Sequence, residues 1–165
     1  MSENEQPQQT PPGGEFMIQK IYIKDISFES PQAPDVFSKD WSPEINLQLN
    51  SVSKPIADHV QEVVLTVTVT AKLERKTVFL VEVQQAGIFS IKGFREQEQA
   101  HLVGSYCPNI LFPFAREVIA DVVGKGGFPQ FLLAPINFDA LYAQHLAQRE
   151  QQQDSPVEDQ QEPMH

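Results

Sequence analysis

Long apolar runs are missing from this sequence. Each is broken within a few residues by Pro, Asn, Gln or a charge, so none supplies the roughly 20 apolar residues that a bilayer-crossing helix needs. Cysteine is nearly absent: Cys107 stands alone among 165 residues, and no disulfide framework can be built on it. Basic residues are few, 12 Lys and Arg against 22 Asp and Glu, and the formal charge of −10 repels phosphate backbones and favours basic partners. Neither nucleic acid nor membrane insertion is therefore expected. The opening MSENEQPQQTPPGGEF has no basic and no apolar segment, so a secretory signal is not expected and the cytoplasm is the expected compartment.

The chain divides by composition. Residues 1–14 hold Pro7, Pro11, Pro12, Gly13 and Gly14 with no aliphatic residue after Met1, and are expected to be a disordered lead. Residues 15–147 are expected to form one domain, and 148–165 a disordered acidic tail in which Glu150, Asp154, Glu158, Asp159 and Glu162 are followed by no Lys or Arg.

Alternation dominates the first half. Phe16/Ile18, Ile21/Ile23 and Ile26/Phe28 form a strand whose phase slips twice, which predicts two bulges. A proline-rich crossover containing Phe37 and Trp41 follows, then a strand with Ile45, Leu47 and Leu49 on one side. Val63, Leu65, Val67 and Val69 alternate with Val64, Thr66, Thr68 and Thr70, a sheet with a Thr-rich outer face. Lys72–Arg75 predicts a turn into a strand from Lys76 to Ile91, expected to be irregular at Gly87. Four antiparallel strands are the minimal sheet.

Helical signals take over after Gly93. A short helix is expected over 96–103, and a stronger one capped by Asn109, with Leu111, Phe114, Val118 and Val122 recurring at helical spacing and Gly124, Gly126 and Gly127 ending it. Ile119 and Val123 widen its apolar arc beyond what one sheet contact needs, so part of the arc is expected to meet another chain. Asn137 predicts the cap of a last helix with Phe138, Leu141, Tyr142 and Leu146, and Asp139 lies in its first turn.

Catalytic and metal signatures are sparse. The four histidines, His59, His101, His145 and His165, have no ligand spacing, and the Gly-rich run at 124–127 follows a helix and lacks the P-loop pattern. His101 and Cys107 are the one thinkable base and nucleophile, although a lone cysteine in an apolar setting is usually packed and inert. Acids such as Glu62, Glu74 and Glu117 are explained by solvent exposure. What stands out is apolar: Phe37, Trp41, Phe94, Phe128 and Phe131 lie where crossovers and linkers are ordinarily polar. Shallow apolar contacts of that kind bind extended polypeptides without a lock-and-key pocket or a cofactor.

Four blocks carry a resemblance: Lys24-Asp25-Ile26-Ser27-Phe28-Glu29, Gly87-Ile88-Phe89-Ser90-Ile91, Tyr106-Cys107-Pro108-Asn109-Ile110-Leu111-Phe112-Pro113 and Ala134-Pro135-Ile136-Asn137-Phe138-Asp139-Ala140-Leu141-Tyr142. In this order they resemble SecB, the bacterial protein-export chaperone family, from about Phe16 to Leu146. The resemblance implies an α+β fold, a four-stranded antiparallel sheet with helices packed on one side. It also implies an ATP-independent chaperone without cofactor or metal, a homotetramer built as a dimer of dimers, that holds precursors unfolded and delivers them to the SecA motor. Carried over residue by residue, it assigns SecA binding to Asp25, Glu29, Leu80 and Glu82 on the outward face of the sheet. Client binding falls to Trp41, Ile45, Leu47, Leu49, Phe131, Leu133, Leu141 and Leu146. The helix-borne oligomer interface falls to Leu111, Phe114, Val118, Ile119 and Val122. The basic run at 72–76 departs from what an acidic partner surface would lead one to expect.

Overall fold

A computed structural model describes residues 13–154. Strands β1 (Glu15–Glu29), β2 (Glu44–Ala57), β3 (Val60–Leu73) and β4 (Lys76–Lys92) form one antiparallel sheet in the order β1-β4-β3-β2. The turn between β3 and β4 is a two-residue hairpin in which Glu74 and Arg75 both have positive φ, the twist-matched geometry that joins adjacent strands tightly. The long crossover carries the chain from β1 to β2, the opposite edge of the sheet, and β1 pairs only with β4.

The two central strands are apolar on one face because that face is covered. Val63, Leu65, Val67 and Val69 of β3 and Phe79, Val81, Val83 and Phe89 of β4 are all fully buried, each contributing on the order of 2 kcal/mol of burial. Val64, Thr66, Thr68 and Thr70 alternate with them on the half-buried outer face. Register shifts in β1 at Ile18/Lys20 and Ile23/Asp25 correspond to the two slips of phase in its sequence. A third, between Ala71 and Lys72, leaves Val78 unpaired, which is how Val78 and Phe79 can both be buried.

The pairing of β3 with β4 passes Gly87 without interruption, contrary to the irregularity expected there. The glycine serves packing instead: a Cβ at this position would stand 2.7 Å from the Phe89 ring and 3.1 Å from a Leu111 methyl, so its absence lets the long helix close on the sheet.

That helix differs from expectation too. Helix α1 (Glu96–His101) runs through a π turn (Leu102–Tyr106) straight into α2 (Cys107–Lys125), so Asn109 lies inside a helix rather than capping one. The widened turn, closed by the Cys107 N–H onto the Leu102 carbonyl, carries the chain into Pro108 without ending the helix. Gly126 and Gly127, the latter at φ 87°, stop it as expected. Pro108, Leu111, Phe112, Ala115, Ile119 and Val123 face the sheet, so the helices lie on one side of it.

Residues 128–137 follow α2 as an extended segment, with Phe128 and Leu133 buried in the core. Helix α3 (Phe138–Gln153) starts where expected, the Asn137 side chain accepting the Ala140 N–H at 3.0 Å. It continues past the expected boundary at residue 147, because Gln and Glu sustain a solvated helix once it is nucleated. The lead up to residue 12 and the tail beyond 154 lie outside the described residues.

Candidate functional site

Both edges of the sheet leave apolar side chains uncovered on its helix-facing side. On β2, Ile45, Leu47 and Leu49 pair with Ala71, Val69 and Val67 and share their face. Leu49 packs against the core, whereas Ile45 is exposed and Leu47 is 37% exposed, since α2 lies over the two central strands and stops short of this edge.

Next to this edge is a cluster of rings. Trp41 lies 6.3 Å from Phe79 and 5.4 Å from Phe128, Phe131 meets Phe79 edge-on at 6.1 Å, and Phe28 stacks on Phe79 at 6.2 Å. Phe37, 51% exposed, covers Phe128 at 5.4 Å. The end of β1, the crossover, the start of β4 and the segment after α2 thus bring six aromatic residues together, with Trp41 and Phe131 half-buried at the rim. Phe28 and Phe79 are outside the residues that the resemblance assigns to clients, and only the fold places them under the rim.

The structure divides the remaining groove residues. Leu133 is 7% exposed and belongs to the core, because the extended segment turns it onto the sheet-covering layer. Leu141 and Leu146 are exposed, but α3 is anchored through Phe138 on Phe112 at 5.7 Å, near the start of α2 and roughly 20 Å along its axis from the aromatic cluster. Trp41, Phe131 and the β2 side chains meet at one end; the two leucines of α3 lie toward the other.

On the outer face, register sets the geometry. Glu29 stands opposite Leu80, which stands opposite Thr70; Ser27, Glu82 and Thr68 form the next row, and Asp25, Gln84 and Thr66 the third. All four residues assigned to the partner face therefore share one surface. Asp25 and Glu29 are exposed, Leu80 is half-buried beside Glu29 at the end of the patch away from Asp25, and Glu82 accepts a hydrogen bond from Thr68 Oγ1 at 2.8 Å.

Farther along the same face, Glu62 overturns the expectation of a solvated acid. It is 9% exposed and accepts hydrogen bonds from Lys24 Nζ at 2.9 Å and from the Tyr22 hydroxyl. These two bonds, the lysine's first, hold its carboxyl below the usual range, while burial and then the neighbouring carboxylate push the Tyr22 hydroxyl up to about 12. The residues 22 and 24 flanking a phase slip were the available sign.

Of the residues assigned to the oligomer interface, Leu111 and Ile119 are corrected. Both are 0% exposed within a single chain, because their side of α2 is the side laid on the sheet. Phe114, Val118 and Val122 follow one another at four-residue spacing on the neighbouring flank, Phe114 exposed and the other two half-buried, with Ile110 half-buried in line. This flank is the surplus of the arc.

Catalytic geometry does not assemble around Cys107. Its thiol is buried and pushed up to about 12 by that burial, so it stays protonated. His101 instead approaches Asp139 Oδ1 at 2.8 Å, and Ser105 Oγ donates to the same oxygen at 2.5 Å. Serine, histidine and aspartate are thus together, but the buried serine spends its hydroxyl on the carboxylate and not on the imidazole, an arrangement that docks α3 and activates no nucleophile. No group of His, Cys, Asp and Glu among the described residues could hold a metal ion.

A twisted sheet half covered by one long helix, with ring-lined apolar edges, defines a protein that binds other chains over extended surface. Comparison with known proteins agrees. The sequence model of the family described as "SecB: Preprotein translocase subunit SecB" matches residues 6–149. The protein-export protein SecB of Nitrosococcus oceani is 59% identical over 155 residues, covering 91% of this chain and 94% of that protein. The SecB of Methylococcus capsulatus is 55% identical over 150 residues with the same coverage. Among solved structures, a SecB-like chaperone of Mycobacterium tuberculosis in complex with a ChAD peptide from the HigA1 antitoxin shares the fold at a TM-score of 0.62 and 15% identity, over 73% of this chain and 90% of that one. The chain belongs to the SecB family of protein-export chaperones, which are not enzymes.

Proposed function

We propose that this protein is a cytoplasmic homotetrameric holdase that keeps precursor polypeptides unfolded without ATP or cofactor and delivers them to the SecA motor for export across the inner membrane. The observation that carries the reading is the aromatic cluster in which half-buried Trp41, Phe131 and Phe28 and exposed Phe37 surround the buried Phe79 and Phe128, beside the uncovered Ile45 and Leu47. Such a surface binds whatever apolar segment a chain exposes, and folding of the client hides those segments, so it distinguishes the state of a client more than its sequence. Edge strand β2 adds unpaired backbone groups common to every extended chain. A peptide on the same fold in the M. tuberculosis chaperone is in line with this use.

Release requires a second surface that clients leave free. Glu29 beside Leu80, with Glu82 and then Asp25 in the next two rows, suits a basic partner docking on the outer face, the charges steering and orienting it while the leucine is desolvated. Assembly into a dimer of dimers has its support in the flank Phe114, Val118 and Val122 together with Ile18, Ile23 and Ile26 on the helix-facing side of β1.

The test is native mass measurement of the full-length protein during titration with a slowly folding precursor, presented unfolded and then folded. A tetramer that takes up the unfolded form at least about a hundredfold more tightly is expected. Equal affinity for both forms would overturn the holdase reading, and a monomer would overturn the assembly.

A further inference from the structure

The second bulge of β1 has an anchor. Ile23 pairs with Gln85 and Asp25 with Gln84, so Lys24 is the extra residue with nothing opposite it on β4. Lys24 and Tyr22, the residues on either side of Ile23, both reach across β4 to Glu62 on β3, the lysine at 2.9 Å. From the helix-facing side, the buried Gln85 side chain donates to the Tyr22 carbonyl at 3.1 Å. The bulge is therefore gripped on both faces of the sheet at one place.

Its place matters because an inserted residue reverses the phase of everything after it. Before the bulge, Tyr22 is on the outer face and Ile21 and Ile23 are on the helix-facing one. After it, Asp25, Ser27 and Glu29 are outside, and Ile26 and Phe28 are inside. With the bulge one pair farther along, Asp25 would become the extra residue and leave its row beside Gln84. β1 is an edge strand with a ladder on one side only, where register is weakly specified by the backbone alone.

We propose that Glu62 is a positioning residue, a buried carboxylate that fixes the bulge of β1 at Lys24 through Lys24 and Tyr22 and so holds Asp25 on the outer face. The proposal rests on the reading of that face as a docking surface for a basic partner, and names what sets the position of one of its acids.

The direct test is a cross-strand disulfide between Asp25→Cys and Gln84→Cys, which stand opposite each other only in this register; buried, protonated Cys107 does not compete. In the full-length assembly, Glu62→Leu should slow its formation about fivefold, and the exchanged pair Lys24→Glu with Glu62→Lys should restore it to within about twofold. In the chain without added cysteines, Glu62→Leu should weaken SecA binding about fivefold and leave unfolded-client affinity within about twofold. Unchanged disulfide formation in Glu62→Leu would overturn the proposal, as would failure of the exchanged pair to restore it. Slowed disulfide formation with SecA affinity unchanged supports the anchor and overturns instead the role of Asp25 in partner binding. Should Glu62→Leu fail to fold, Tyr22→Phe with Lys24→Met removes the same two bonds, and carries the same expected slowing and the same overturning result.

Discussion

The two edges of the sheet solve the same exposure problem in opposite ways. β1 is broken twice by bulges, bends with them, and is tied to β3 by side chains reaching over its neighbour. β2 pairs with β3 without a shift from Glu44 to Pro55, and among the described residues no side-chain hydrogen bond ties its middle to anything else. A bulged, tethered edge is a poor template for another strand; a long regular one is a good template, and ordinarily an aggregation hazard. A chaperone can turn that hazard to use at one edge while the other is kept for displaying fixed side chains.

If that contrast is right, the same kind of truncation should act on different properties at the two edges. Phe28→Ala on β1 removes a ring packed between Phe79 and Phe128 and should cost about 3 kcal/mol in denaturant unfolding. Leu47→Ala on β2 should cost less than about 1 kcal/mol, because over a third of that side chain is already in water. Equal losses would mean that β2 is held as tightly as β1.

Charge sharpens the comparison at smaller cost. Placing Lys at both Ile45 and Leu47 adds two ammonium groups to the regular edge and should weaken unfolded-client binding about tenfold, whereas Met17→Lys, on β1 outside the surface proposed for assembly, should change it by less than about twofold. A titration in which Met17→Lys is the more damaging change would move the client surface to the bulged edge.

Much of this contrast could be read in the sequence. The two slips of phase between Phe16 and Phe28 announced the bulges, and the regular Ile45, Leu47, Leu49 spacing announced a straight strand, because a period of two is visible wherever one face is buried. The Asn137 cap and the glycine stop at 126–127 were equally local. What escaped was set by tertiary contact. Asn109, with Pro113 in the turns after it, reads as a helix start, but a π turn over 102–106 joins that helix to the one before it. Leu111 and Ile119 could not be told from Phe114 and Val122, since a wide apolar arc does not say which flank the sheet takes. Glu62 looked like any strand carboxylate, because its partners lie 38 and 40 residues away in sequence. The aromatic cluster was half legible: rings out of place in loops were evident, but not that Phe28 and Phe79 lie beneath them.

The smallest expected effect separates the edges by pH. Glu62 titrates below its ordinary 4.5 in the folded chain, chiefly because Lys24 and then Tyr22 hydrogen-bond its ionised form. A depressed carboxyl stabilises the fold above its unfolded value, and that contribution is lost as pH falls from about 4.5 through the folded value. The loss falls on β1, since both donors are there and the acid itself sits on a central strand held from both sides. Hydrogen exchange, corrected for its intrinsic pH dependence, should therefore show β1 amides around residues 22–25 losing protection between pH 5 and the acid limit of folding, about twofold to fivefold, while those of β2 at 45–49 hold theirs. Glu62→Gln should abolish the pH dependence by starting from the less protected state. Parallel loss at both edges in the wild-type chain would instead mean that acid loosens the whole sheet, leaving Glu62 no special hold on its neighbour's edge.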